Sequence, residues 1–173
     1  IIIPTYLRHK ALKKKIDEII NLDRSDIEFI FILEREDLNS LNIIKEIKSD
    51  HLKIIFNIGT HYHSFYIGAK AASGKYLKFM GDDDYLIIDN FNKQLDNIKL
   101  NPNIEWFVSG GIYYNNKKEK IRKIITKLKF FLLKNYKHNI LTLANFIMTP
   151  SVIIKKDIFF ECGGFDRKYK YAQ

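Results

Sequence analysis

The chain has 173 residues, 46% of them hydrophobic and 14% aromatic, which is enough for one continuous core and excludes a disordered chain. Its 29 basic and 20 acidic residues leave a net charge of +9, which suits an anionic partner such as a nucleotide, a nucleic acid or a membrane surface. A single cysteine, Cys162, excludes an internal disulfide and fits a reducing compartment, and no apolar run approaches the roughly 18 residues of a membrane span.

Ile1-Ile2-Ile3-Pro4 reads as a buried strand, stopped by its proline and followed by Thr5-Tyr6. Leu12, Ile16, Ile19 and Ile20 recur at helical spacing and predict an amphipathic helix that turns Lys13 to Lys15 outward. Ile27 to Leu33 is rich in β-branched and aromatic residues, hence a second buried strand. Leu38 to Lys48 predicts a second helix, and Leu52 to Phe56 a third strand. In the helix predicted over His63 to Ala72, Gly68, Ala69, Ala71 and Ala72 would allow close approach to a sheet. After the turn signal Ser73-Gly74, Tyr76 to Met80 reads as a fourth strand. Phe91, Leu95 and Ile98 mark a further helix, with Asp89 or Asn90 as its cap and Pro102 beyond its end. Ile104 to Val108, Ile112 to Tyr114 and Val152 to Ile154 are predicted strands, the last followed by a short helix and Gly163-Gly164-Phe165-Asp166.

Four alternations of strand and helix predict a mostly parallel sheet covered on both faces. Ligands of such sheets sit beyond the carboxyl ends of the strands. Three strand ends carry polar groups suited to that crevice: Thr5-Tyr6, Glu34 to Asp37, and Asp82 to Asp84. The last belongs to the acidic loop Gly81-Asp82-Asp83-Asp84-Tyr85, whose adjacent carboxylates repel one another and need a positive partner. A hard divalent cation suits an all-oxygen cluster, and Mg²⁺ or Mn²⁺ takes one or two carboxylates with water and phosphate filling the rest. The competing reading is a solvated acidic turn. Neither GxGxxG nor GxxxxGK[ST] occurs, so a dinucleotide site or a P-loop is not expected.

The order of these motifs resembles the family 2 glycosyltransferases, whose fold is the GT-A nucleotide-sugar-binding fold. Ile1-Ile2-Ile3-Pro4-Thr5-Tyr6 is similar to the family's opening strand, I-I-I-P-T-Y-N-R. The segment from Ala72 to Phe79, with the aspartates after it, is similar to its metal-binding D-x-D region. Met148 to Lys156 and Gly163-Gly164-Phe165-Asp166 resemble its later strand and G-G-F-D turn. The variant Phe79 to Leu86 is closest to the abequosyltransferase-like subgroup of bacterial O-antigen synthesis. The resemblance implies a single GT-A domain over residues 1–173, incomplete at both ends, with an α/β Rossmann-like sheet flanked by helices.

It also implies a function: inverting transfer of a sugar from a nucleotide-diphosphate sugar to a hydroxyl of a bacterial cell-surface glycan, lipopolysaccharide or lipid-linked acceptor. Pro4, Thr5 and Tyr6 would line the base and ribose, Asp82 would face the ribose or diphosphate, and Asp83 would hold Mg²⁺ or Mn²⁺, with Asp84 as a second ligand. Two departures matter. Leu33 and Glu34 stand where the family has paired aspartates, so Glu34 would replace the base contact. Phe65-Tyr66 stand where the family often has Arg-Asn, so a phosphate-contacting arginine is missing at that place. The family's general base follows G-G-F-D by a few residues. It is expected just after Gln173, with Asp166 as a turn residue and no catalytic residue assigned in the chain.

Nine basic residues between Lys117 and Lys137, less Glu119, supply +8 of the +9. Ile121, Ile124, Ile125, Leu128, Phe131 and Leu132 fall among them at helical spacing, so the segment suits the surface of an anionic bilayer. The expected place is therefore cytoplasmic and peripheral on the inner face of the cytoplasmic membrane. A helix packed on the core with a solvated lysine face is the equal alternative. Nucleic acid is not an expected partner, because the charge is concentrated in one segment and no RRM or KH signature appears. A nucleotide-sugar-binding homologue without turnover is the first alternative function, and a basic nucleic-acid-binding module is the lesser one. His61-Tyr62-His63 is placed in a loop with no third ligand, Cys162 as a small buried residue, and Trp106 in the core.

Overall fold

The computed structural model describes residues 1–22, 24–47, 50–57, 61–109, 131 and 147–165. Along them run β1 (Ile2–Thr5), α1 (His9–Leu22), β2 (Phe29–Glu34), α2 (Leu38–Lys45), β3 (Leu52–Asn57), α3 (His61–Ala71) and β4 (Tyr76–Lys78). There follow α4 (Ile88–Leu100), β5 (Trp106–Val108), a 3₁₀ turn (Thr149–Ser151), β6 (Val152–Lys155) and α5 (Lys156–Glu161).

β2 pairs in parallel with both β1 and β3, whereas β6 pairs antiparallel with both β4 and β5. The two halves meet at one parallel bridge, Ile2 to Phe79, where the Met80 amide donates to the Ile2 carbonyl at 3.0 Å. The spatial order is therefore β3-β2-β1-β4-β6-β5. Neighbouring residues of β1 serve opposite strands: the Ile1 carbonyl accepts from Ile30 on the β2 side, and the Ile2 carbonyl from Met80 on the β4 side. Pro4 is in phase with Ile2, so its missing N–H faces β4. Pairing with β2 does not need that donor, and β1 runs through Pro4 to Thr5, one residue beyond the expected stop. Pairing with β4 does need it. There the ladder ends after one bridge, which opens the sheet on the side of the acidic loop.

The period-2 alternation of β1 and β2 divides the core between the two faces. Ile3, Phe31 and Leu33 pack with Leu12, Ile16, Ile19, Ile44, Phe91 and Ile98 on one face. Ile2, Ile30 and Ile32 pack with Ala69, Ala72, Leu77, Phe79 and Phe159 on the other. α3 lies close on that second face because Gly68 has no side chain: a Cβ there would sit 2.4 Å from Ile2 Cγ2. Ala69 and Ala72 are buried as the close-approach reading requires, but Ala71 is exposed. Gly163 and Gly164 both have positive φ, +87° and +65°. Their turn delivers Phe165 onto Phe65, Phe79 and Phe159, with ring centroids 4.9–5.4 Å apart.

Several sequence expectations are corrected. Lys15 is 1% exposed, not turned outward, because it lies three residues after Leu12 and four before Ile19 on the buried stripe of α1. α4 starts earlier than expected: Ile87 is its N-cap, without a side-chain bond, and Asp89 lies in the first turn. Trp106 is 46% exposed on β5, away from the core. Cys162 is exposed at the end of α5. His61 opens α3, so the His61-Tyr62-His63 segment is helical, not a loop. The expected strand at residues 112–114, the basic segment 117–137 apart from Phe131, and Asp166 lie outside the described residues. Among the described residues no helix is long and apolar enough to cross a membrane.

Candidate active site

The connection after β1 leads to β2 on one side, whereas β4 lies on the other, so the crevice between the carboxyl ends of β1 and β4 is a topological switch point. Thr5 ends β1 there, and the Gly81-to-Tyr85 loop follows β4. The Thr5 hydroxyl donates to Asp82 Oδ2 at 2.6 Å, and both residues are buried. A carboxylate out of water needs such partners. Asp82 has a second one in Arg8, whose Nη1 lies 3.2 Å from its Oδ1.

The same Arg8 nitrogen donates to Asp83 Oδ2 at 2.6 Å. Unlike Asp82, the Asp83 side chain is 62% exposed, and that of Arg8 is 56% exposed. Asp83 first and Asp82 second raise the Arg8 guanidinium above its ordinary value. One cation thus bridges two of the three aspartates.

The third behaves differently. Asp84 Oδ2 accepts the Gly81 amide at 2.7 Å, closing the loop on itself. Burial raises its pKa, and Asp83 adds to that, while the Gly81 hydrogen bond opposes both. Lys15 secures the loop from below, donating to the Asp84 carbonyl and pairing with Glu18 at 2.6 Å. The other Glu18 oxygen accepts the Leu86 amide. Lys78, buried in β4, donates to the Pro150 carbonyl and lies 5.6 Å from the Phe91 ring centroid. Burial lowers its amine to about 8, against the pull of Asp84.

The loop from β1 to α1 is aimed by Asp37, the N-cap of α2. Its carboxylate accepts the Leu7 amide at 2.7 Å, the Ser40 amide at 3.1 Å and the Ser40 hydroxyl at 2.6 Å, with His9 Nε2 at 3.2 Å. Burial would raise the Asp37 pKa, but these bonds, Ser40 foremost, outweigh it and leave it at about 2. Leu7 takes the left-handed region, φ 53°, a strain tolerated where its surroundings fix it. Arg8 follows directly and is thereby directed to the aspartates.

Of the residues named from sequence, Thr5 and Asp82 are in contact, and Asp83 is open beside them. Pro4 is buried within β1, and Tyr6 is 52% exposed at the crevice rim. Glu34 ends β2, half-buried opposite Asn57 of β3 and one register position past the Leu33–Thr5 pair. The Asp84 carboxylate accepts the Gly81 amide and takes no part in the Arg8 bridge. Among the described residues no three His, Cys, Asp or Glu side chains converge as a metal cage. Arg8, Lys15 and Glu18 were not singled out from sequence. The available signals were the arginine that closes the family's pattern I-I-I-P-T-Y-N-R, which falls on Arg8, and a lysine in register with an apolar stripe.

The chain matches the family model "Glycosyl transferase family 2" over residues 1–161. It is 28% identical over 92 residues, half of this chain and 30% of the other, to the GalNAc(5)-diNAcBac-PP-undecaprenol beta-1,3-glucosyltransferase of Campylobacter jejuni. It is 25% identical over 169 residues to an uncharacterized glycosyltransferase of Haemophilus influenzae, covering 95% of this chain and 55% of that one. Among solved structures it resembles the Pyrobaculum calidifontis mannosyltransferase PcManGT, in complex with GDP-Man and Mn²⁺, with TM-score 0.65 and 13% identity over 95% of this chain and 46% of that one. S. aureus TarS (residues 1–349) gives TM-score 0.64 and 12% identity over 93% and 48%. The chain thus spans about half the length, or less, of the proteins it matches. The fold is the GT-A fold of these structures, its parallel half continued by antiparallel β4-β6-β5. With the family model covering 161 residues from the first strand to α5, the chain belongs to glycosyl transferase family 2.

Proposed function

We propose that the chain is the donor-binding domain of a metal-dependent, inverting glycosyltransferase that moves a sugar from a nucleoside-diphosphate sugar to a hydroxyl of a bacterial cell-surface glycan or lipid-linked acceptor. The observation that carries this reading is the contact of Thr5 with Asp82 at the switch point, with the open carboxylate of Asp83 beside it. In this reading Pro4, Thr5, Tyr6 and Glu34 meet the base and ribose, Asp82 faces the ribose or diphosphate, and Asp83 holds Mg²⁺ or Mn²⁺. Asp84, whose Oδ2 accepts the Gly81 amide, would join as a second ligand through its other oxygen, Oδ1.

The donor set fits such an ion. Mg²⁺ and Mn²⁺ are held by one or two carboxylates, with phosphate and water completing the shell. One exposed carboxylate and a buried neighbour suit that division better than a closed protein cage would. The ion would act as a Lewis acid on the charge developing on the departing nucleoside diphosphate. Thr5, by fixing one Asp82 oxygen, orients the carboxylate in advance, and Lys15 with Glu18 holds the loop backbone still. Pre-positioning of this kind lowers the barrier without new contacts at the moment of reaction. In-line attack by the acceptor hydroxyl would invert the anomeric centre.

The names of the relatives favour this reading: one similar protein acts on an undecaprenol-linked glycan, and another was crystallised with GDP-Man and Mn²⁺. A lipid-linked or lipopolysaccharide acceptor, of O-antigen type in the abequosyltransferase-like case, would place the work at the inner face of the cytoplasmic membrane, with residues 117–137 as the peripheral contact. Thermal-shift screening of UDP, GDP, CDP, ADP and dTDP, each with and without Mn²⁺, tests the core of the proposal. A metal-dependent rise for one base is expected. No response to any of the five would refute it.

A further inference from the structure

Arg8 adds a role that neither the family match nor the relatives' names assign. Its Nη1 is 2.6 Å from Asp83 Oδ2 and 3.2 Å from Asp82 Oδ1, so one nitrogen bridges two carboxylates. A divalent ion held by Asp83 beside Asp82 would draw on the same two carboxylates. Two cations cannot share that space, because their repulsion adds to the loss of ligand oxygens. We infer that Arg8 is a built-in counter-ion that competes with the divalent cation for Asp83, and that it passes to the donor's diphosphate when metal and nucleotide bind together. This rests on the donor site proposed above.

Three observations support it. The arginine is not a free surface residue, because Asp37 holds the Leu7 amide and fixes the strained φ of 53° that precedes Arg8. Its side chain is nonetheless 56% exposed, so leaving the aspartates requires no opening of the core. A guanidinium suits both partners, since its planar fork recognises carboxylate and phosphate alike. The exchange also supplies a diphosphate-binding arginine to a chain with Phe65-Tyr66 on α3, where the first expectation was that such an arginine would be missing.

The consequence is a paired change of opposite sign. Without nucleotide, Mn²⁺ should bind weakly to the wild type, because it must displace Arg8. Breaking an exposed ion pair of this kind corresponds to about 2- to 5-fold in affinity. In Arg8→Met, Mn²⁺ alone should therefore bind about 2- to 5-fold tighter. In the same variant, the nucleoside diphosphate that the wild type prefers should bind about tenfold or more weakly in the presence of Mn²⁺, because a charge-assisted bond to phosphate is lost. Arg8→Lys keeps the charge without the fork, so its Mn²⁺ affinity should stay near the wild type.

Calorimetry or Mn²⁺ electron paramagnetic resonance on the folded chain measures the first quantity, and nucleotide titration the second. Unchanged or weaker Mn²⁺ binding by Arg8→Met overturns the competition, and undiminished nucleotide binding overturns the transfer to phosphate. If the wild type binds neither Mn²⁺ nor any nucleoside diphosphate, the donor-site reading falls, and the role of Arg8 with it. A wild type that binds both, with Arg8→Met indistinguishable from it, sinks the role of Arg8 alone.

Discussion

The Thr5 hydroxyl donates to Asp82 Oδ2 at 2.6 Å across 77 residues of sequence, and neither residue is more than 5% exposed. The bond joins the ends of β1 and β4 where the sheet has no ladder left to hold them, because Pro4 ends the pairing. Thr5→Val keeps the shape and removes the donor, leaving one oxygen of a buried carboxylate without its partner. A loss of about 1–3 kcal/mol in unfolding free energy is expected. Thr5→Ser restores the hydroxyl and should recover most of it. In an Asp82→Asn background the cost of Thr5→Val should shrink, and a double-mutant cycle from urea unfolding measures the coupling.

Asp82 and Asp83 are adjacent in sequence but differ in burial, so their substitutions should separate structure from ligand binding. Asp83→Asn alters an exposed side chain and should move the ligand-free Tm by no more than about 1–2 °C. It should abolish the Mn²⁺-dependent part of any nucleotide-induced shift. Asp82→Asn disturbs the bonds to Thr5 and Arg8 and should lower the Tm without ligand as well. Retention of a full Mn²⁺-dependent shift by Asp83→Asn would move the metal away from this residue.

Asp37 gives the fold an acid-sensitive joint. Its folded pKa of about 2 lies below the ordinary carboxylate value of 3.8. The unfolded chain therefore takes up the proton first as pH falls, and stability contributed above about pH 4 is lost on approach to pH 2. Asp37→Asn keeps a good N-cap but removes the charge that holds Leu7, Ser40 and His9. The stability gap between wild type and Asp37→Asn should be widest above about pH 5 and should narrow towards pH 2.5. Urea unfolding across that range reads the gap directly; a gap constant with pH would contradict the assignment.

Much of this was legible in the sequence because apolar period and strand-end chemistry are local signals. The β-strand positions, the alternation with helices and the parallel pairing of β1, β2 and β3 follow from runs such as Phe29 to Leu33, buried on both faces. The antiparallel arrangement of β4, β6 and β5 was not legible, since β6 reaches its place from more than 40 residues beyond β5. At the site, the convergence of Thr5 with the aspartates could be read from strand ends. The division of labour among Asp82, Asp83 and Asp84 could not, because it depends on which carboxylate each neighbour happens to reach. Lys15 shows the limit most clearly: three consecutive lysines look alike in sequence, but only the third is in register with the apolar stripe of α1. Charge alone suggested an outward face, and packing with Glu18 overrode it.

That lysine carries the next prediction. Lys15 and Glu18 are 1% and 10% exposed in their side chains, so removing one partner strands the other charge. Lys15→Met should cost about 3–5 kcal/mol, the usual penalty for breaking a buried pair from one side. Lys15→Met with Glu18→Gln should cost less than Lys15→Met alone, because glutamine is neutral and can still accept the Leu86 amide. Chemical denaturation of the two variants decides it. Equal losses would mean that Lys15 contributes through its bond to the Asp84 carbonyl and not through the charge pair.

Gly68 sets the distance between α3 and the strand that ends in Thr5. A Cβ at this position would lie 2.4 Å from Ile2 Cγ2, with Ile32 Cδ1 at 3.2 Å, and Ile2 is fully buried between layers. Neither methyl has free space to enter, so Gly68→Ala must push α3 outward or force Ile2 off its rotamer. Overpacking of this kind costs about 1–3 kcal/mol. The gain in helix propensity from replacing glycine, at most about 1 kcal/mol, offsets only part of that. Net destabilisation is therefore expected, in contrast to an exposed helical glycine, where the same change stabilises. Ile2→Ala removes both Cγ atoms that the new Cβ would meet, so if the clash is with the Ile2 side chain the double variant should lose less than the sum of the two single losses. Urea unfolding of the pair measures it, and a Gly68→Ala protein as stable as the wild type would show that α3 can slide without cost.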